Sequence, residues 1–147
     1  MLLDANILIY AADTESAFHR PAKDWIEDAL NGPRRVGIPW ISLAAFLRIT
    51  TNPRALRRPL SAGEAWEFVE AWLDAPAVWV PAPGAGHREI LGRLLSHLDL
   101  RGNLINDAVL AALCLEHGLE MVSADSDFAR FPEIRWHNPI SPAPRRR

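Results

Sequence analysis

His117–Ala129 reads HGLEMVSADSDFA. Within it the apolar pair Met121-Val122 runs directly into Ser123, Asp125 and Asp127, with no basic residue among them. Gathering carboxylates at the end of a buried strand costs free energy that a cation or ordered water must offset. The start of the chain repeats the pattern: Leu2-Leu3 leads into Asp4 and Asn6, and an apolar run resumes over Ile7–Tyr10. Two strand ends, each delivering a carboxylate, point to one shared metal site, and the remaining residues read as the scaffold that joins them.

The scaffold has an ordinary globular composition. The chain has 147 residues, 49% hydrophobic and 23% charged, which suits one domain with one core and excludes a disordered chain. Its single cysteine, Cys114, lies among Ala112, Leu113 and Leu115 and reads as a small buried hydrophobe rather than a reactive thiol. No apolar run approaches the ~20 residues that span a bilayer, and no basic segment precedes the first apolar one, so the expectation is a soluble cytoplasmic protein with no membrane partner. A net charge of −2 singles out no partner. Its distribution says more: Arg54, Arg57 and Arg58 cluster in NPRALRRP and Arg145–Arg147 close the chain, a basic rim around an acidic centre.

Leu2–Ala11 reads as a short buried strand with Asp4 near its end. Helices are predicted from Pro21 to Leu30, from Trp40 to Thr51, from Ala62 to Leu73 behind a Ser61–Glu64 capping box, from His87 to Leu98, and from Leu104 to His117 before Gly118. Strands are predicted at Val36–Ile38, Val78–Val80, Glu120–Ser123 and Ile134–Trp136, with a short helical turn at Asp127–Phe131. Residues 1–138 form the domain, and 139–147, rich in Pro, Ser and Arg, read as a disordered tail. Strands alternating with helices define an α/β fold with a mostly parallel sheet covered on both faces. Ligands of such sheets bind beyond the carboxyl ends of the strands, where strand order reverses. Asp4 and Asp125 are placed at such ends, and Asp107, entering the helix before the fourth strand, reaches the same crevice.

Four segments carry a family resemblance: LLDANILIYA, FLRITTNPR, LSAGEAWEFVEAWL and GNLINDAVLAALCLEHGLEMVSADSDFARFPEIRW. Together they resemble PIN-domain ribonucleases, and closely the VapC-like toxin components of VapBC toxin–antitoxin pairs. The resemblance implies an α/β/α sandwich and an endoribonuclease dependent on Mg²⁺ or Mn²⁺. It further implies a homodimer, an RNA substrate and a cognate VapB-like antitoxin. By position, Asp4, Asp107 and Asp125 match the family's catalytic acids and metal ligands, and Asp127 is an auxiliary ligand. Ser123 stands where the family carries a Thr or Ser beside the metal, and Asn6 is placed to orient neighbouring carboxylates. Arg48, Arg54, Arg57 and Arg58 are the candidate RNA contacts. His19 reads as a surface or capping residue rather than a ligand.

One departure stands out. Where many family members carry a Glu, the helix ISLAAFLRIT has Ala44-Ala45, and no acid occurs between Asp28 and Glu64. Asp127 substitutes for it in one reading; in another the chain is a catalytically weakened PIN-fold module that binds RNA or protein. Hard oxygen ligands on separate elements make an open site for Mg²⁺ or Mn²⁺, suited to water as the nucleophile and to 5′-phosphate and 3′-hydroxyl products. A phosphatase using an aspartyl nucleophile is disfavoured, because Asn6 rather than an acid stands two residues after Asp4.

Overall fold

The sheet is built from strands of only two residues each, and the helices between them do most of the covering. A computed structural model describes residues 1–141. In chain order the elements are β1 (Leu2–Leu3), α1 (Ala5–Ala12), α2 (His19–Asn31), β2 (Val36–Gly37), α3 (Trp40–Thr50), α4 (Ala62–Asp74), β3 (Val78–Trp79), α5 (His87–Leu98), α6 (Leu104–His117), β4 (Met121–Val122) and β5 (Trp136–His137). A 3₁₀ turn covers Ser126–Arg130. All four ladders are parallel, in the order β3-β2-β1-β4-β5.

Successive strand residues point to opposite faces, and the core divides accordingly. Leu3, Val36 and Val122 pack into a layer with α1 to α4, including Ile7, Leu8, Leu43, Phe46 and Trp72. Leu2 and Met121 face the other layer, with Leu94, Leu110, Leu113, Cys114, Phe128 and Phe131. The result is an α/β/α sandwich. Because β2 and β3 lie to one side of β1 while β4 and β5 lie to the other, strand order reverses between β1 and β4.

The expected strand over Leu2–Ala11 is corrected: the chain leaves the sheet after Leu3 and turns into α1. Asp4 has extended backbone angles, and its Oδ1 accepts from the Ala5 N–H at 2.7 Å, so it caps the helix. The run ANILIYAA carries no charge because α1 is packed against the sheet, α2 and α3, and continuous apolarity does not distinguish a buried strand from a buried helix. Smaller shifts occur at α2, which starts at His19, and at β5, which starts at Trp136. The Ser61–Glu64 capping box forms, with both hydrogen bonds near 3 Å, and Gly118 ends α6 at φ 65°.

The predicted tail meets the structure only in part. Ile140 is 8% exposed and joins the α1–α4 layer, so the packed chain continues past residue 138. Residues 142–147 lie outside the described residues. Among the described residues no helix is long and apolar enough to cross a membrane.

Candidate metal centre

Asp4 follows β1, and Ser123 and Asp125 follow β4, so the central reversal of the sheet brings together residues more than a hundred positions apart. A polar lattice holds the two ends. The fully buried Ser123 hydroxyl donates to Asp4 Oδ2 at 2.7 Å and accepts from the Asp125 N–H at 3.0 Å. Asn6 Nδ2 lies 3.1 Å from Asp4 Oδ2 and 3.0 Å from Ser123 Oγ, while its Oδ1 accepts from the Ala124 N–H at 3.2 Å. Trp136 Nε1 donates to the Ser123 carbonyl at 2.9 Å from β5. Asp125 in turn caps the 3₁₀ turn, its Oδ1 accepting from the Asp127 N–H at 2.8 Å.

The other wall comes from α6, whose first turn carries Asp107. Carboxylate oxygens of Asp107, Asp125 and Asp127 all lie within 4.8 Å of one another. This trio differs in one member from the set Asp4, Asp107 and Asp125. Asp4 lines the same cavity, but its oxygens are engaged by Ser123, Asn6 and Ala5. The cavity measures ≈ 630 Å³, within the size class of ligand pockets, and is lined also by Ser42, Ala44, Ala45 and Arg48 of α3 and by Asn103 and Asn106.

Burial, and then charge crowding, make these carboxyls harder to ionise. Burial, then Asp125, Asp4 and Asp127, push the Asp107 carboxyl up to about 6. Burial also raises Asp4, against the hydrogen bonds from Ser123 and Ala5 that favour its ionised form. Among the described residues, the only ion pair to any of these acids is Arg130 Nε to Asp127 Oδ1 at 3.3 Å. A set made of carboxylate oxygens, left short of positive charge, fits a hard divalent cation such as Mg²⁺ or Mn²⁺ and offers no soft ligand.

The remaining candidates separate. Arg48 is exposed on the cavity wall and has no ion-pair partner among the described residues. Arg54 and Arg57 are exposed, and Arg58 pairs with Glu15 at 3.3 Å. His19 sits away from the acids, its Nδ1 3.2 Å from the Tyr10 carbonyl. Ser42, Asn103 and Asn106 were not singled out by sequence reasoning. Asn103 lies four residues before Asp107, a helical spacing that was available as a signal. Ser42 is buried and donates to the Leu3 carbonyl at 2.8 Å, tying α3 to β1 below the site.

A parallel sheet in this order, with acids converging where it reverses, defines a nuclease-type PIN architecture. The chain belongs to the PIN domain family, whose profile matches residues 1–134. Within that family it is similar to ribonuclease VapC37 of Mycobacterium tuberculosis, at 44% identity over 94% of this chain and 96% of that protein. Ribonuclease VapC33 of the same species is 39% identical over 93% of this chain and 96% of its own. Among solved structures, VapBC2 from Rickettsia felis bound to a promoter DNA fragment aligns with a TM-score of 0.70 at 18% identity, covering 93% of this chain and 96% of that one. VapC20 of M. tuberculosis, described as a sarcin–ricin-loop-cleaving toxin, aligns with a TM-score of 0.65 at 19% identity, covering 87% and 92%. At those identities the structural likeness is one of fold.

Proposed function

We propose that this chain is a divalent-metal-dependent endoribonuclease, the toxin half of a toxin–antitoxin pair, with its metal held by Asp107, Asp125 and Asp127 and the site completed by Asp4. The observation that carries this reading is the carboxylate trio at the reversal point of the sheet. A divalent cation bound there supplies Lewis acidity, activating water and neutralising charge on the scissile phosphate. The protein's own part is positional. Ser123 and Asn6 fix the Asp4 carboxylate, and Asp125 is oriented through its capping bond to Asp127. Arg48 stands on the cavity wall where a phosphate of the substrate would lie, with Arg54 and Arg57 further along the chain as additional phosphate contacts that position RNA without reading its sequence.

The antitoxin partner is supported by the fold neighbours, which include VapBC assemblies and a toxin–antitoxin complex from Klebsiella pneumoniae (TM-score 0.61). The alternative, a weakened binding module, draws on Ala44 and Ala45 lining the cavity where a Glu is expected. The third carboxylate that Asp127 brings to the trio favours the active enzyme. Purified protein with Mg²⁺ or Mn²⁺ should cleave RNA internally, and Asp107→Asn should remove that activity without loss of folding. Full cleavage in excess EDTA, or by Asp107→Asn, overturns the proposal.

A further inference from the structure

The large apolar side chains left most exposed among the described residues are Phe18 (44%), Trp40 (53%), Trp66 (41%) and Ile105 (37%). Phe18 has a partner, lying 5.2 Å from the Tyr10 ring centroid. Trp66 stands on α4, which contributes nothing to the carboxylate cavity. Trp40 and Ile105 are different, because they stand in the first turns of α3 and α6, which with α1 wall that cavity. Trp40 stacks on no aromatic ring and takes no cation on its face among the described residues. Trp40 does not line the cavity itself but stands one residue before Ile41, the first cavity-lining residue of α3, and so exposed an indole there has no packing role that accounts for it.

Helix geometry links Trp40 to the cavity. Residues four apart lie on one helical face, about 6 Å apart along the axis, so Trp40, Ala44 and Arg48 form a stripe. All three are exposed, and Ala44 and Arg48 line the cavity. The stripe therefore presents an aromatic plane, a methyl group and a guanidinium in series. Alanine in its middle matters twice: it leaves room for close approach, and it keeps negative charge off this wall while the acids are confined to the opposite elements. A polyanion can lie against α3 without meeting a carboxylate of that helix.

We propose that the α3 wall is a subsite for an unpaired stretch of RNA, in which a base stacks on Trp40 and a backbone phosphate pairs with Arg48. The proposal rests on the ribonuclease reading above. Bases inside an A-form duplex are stacked on one another and cannot reach an indole, whereas a loop or single strand presents them. Trp40 and Arg48 are thus positioning residues that favour a splayed strand, and sequence discrimination is left to other contacts.

The test compares wild type, Trp40→Ala, Trp40→Phe and Arg48→Ala in the full-length chain. Fluorescence anisotropy with a labelled eight-nucleotide single-stranded RNA in EDTA should show Trp40→Ala weakened about tenfold, the scale of a lost stacking contact, with Trp40→Phe close to wild type. A blunt duplex of the same length should bind Trp40→Ala and wild type alike. In Mn²⁺, Trp40→Ala should raise KM with kcat little changed, and Mn²⁺ affinity and thermal midpoint should match wild type. Equal single-strand binding by Trp40→Ala and wild type overturns this inference alone and leaves the nuclease reading standing. Loss of self-association or of antitoxin binding in Trp40→Ala, with RNA binding unchanged, assigns the indole to a protein contact and also overturns it. Wild-type protein that neither binds nor cuts RNA overturns both readings.

Discussion

Ser123 and Asp4 are 119 residues apart in sequence, yet the Ser123 hydroxyl donates to Asp4 Oδ2 at 2.7 Å. This bond spans the reversal between β1 and β4, and Ser123 is fully buried. Ser123→Ala leaves that oxygen with Asn6 alone and strands the Asp125 N–H. A hydrogen bond to a charged group contributes ~1.5–3 kcal/mol, so the variant should lose stability on that scale, read as a fall of several degrees in thermal midpoint. Because the Ser123 bond favours ionised Asp4, the penalty should be larger at pH 7 than at acid pH, where Asp4 is protonated in both proteins. A penalty that does not vary with pH would argue against this role.

Asp107 gives a second pH dependence, of opposite consequence for fold and for metal. Its folded carboxyl is raised to about 6 from the ordinary aspartate value of 3.8, so the folded chain binds more protons than the unfolded chain between those limits. The contribution of Asp107 to stability is complete below pH ~4 and is lost as pH rises through ~6. Metal binding runs the other way, since a cation displaces the proton. Mn²⁺ affinity measured by calorimetry should fall as pH drops below ~6, and Asp107→Asn should remove that dependence together with most of the binding.

The turn after β3 is held from α6. A Cβ added to Gly84 would come 2.5 Å from Glu116 Oε1, and the Gly84 backbone is the main cause that lowers the Glu116 carboxyl. His117 reaches the same turn, with Nε2 2.8 Å from the Ala82 carbonyl. Gly84→Ala must push the Glu116 carboxylate away, and because the displaced atoms are the far end of a flexible side chain the cost should be on the order of 1 kcal/mol or less. At this chain length the thermal midpoint should fall by no more than about 4 °C with little effect on RNA cleavage, because neither Gly84 nor Glu116 lines the carboxylate cavity.

Where the sequence carried local signals, it located elements closely. The Ser61–Glu64 pair, Gly118 and the 3.6-residue spacing of Leu104–His117 each encode a boundary through a specific backbone requirement. The run after Asp4 carried no such discrimination: in Ile7-Leu8-Ile9-Tyr10 the first two residues are buried and the last two half-buried, so the apolar run has no polar face to betray a helical period. The site was legible as a set of acids at strand ends, but not as a set of converging oxygens. Asp127 enters the trio because a 3₁₀ turn capped by Asp125 brings its carboxylate round, while Asp4 is drawn into hydrogen bonds with Ser123 and Asn6. Those choices depend on side-chain geometry across the sheet, which residue order alone does not specify.

Ala45 offers the sharpest test of how the site manages without an acid on α3. Ala44 and Ala45 both line the cavity, and Ala45 is the less exposed of the two. Ala45→Glu adds a carboxylate to a cavity in which Asp107 is already hard to ionise. Without metal, the added charge should lower the thermal midpoint at neutral pH and shift the Asp107 titration further upward. With metal, the same carboxylate becomes a ligand or an orienting neighbour, and Mn²⁺ should bind about tenfold more tightly, the scale on which outer carboxylates tune such sites. The two effects have opposite signs, so the midpoint gained on adding Mn²⁺ should be larger in Ala45→Glu than in wild type. An equal gain in both proteins would mean that α3 does not face the cation, and that Asp107, Asp125 and Asp127 hold it without help from that wall.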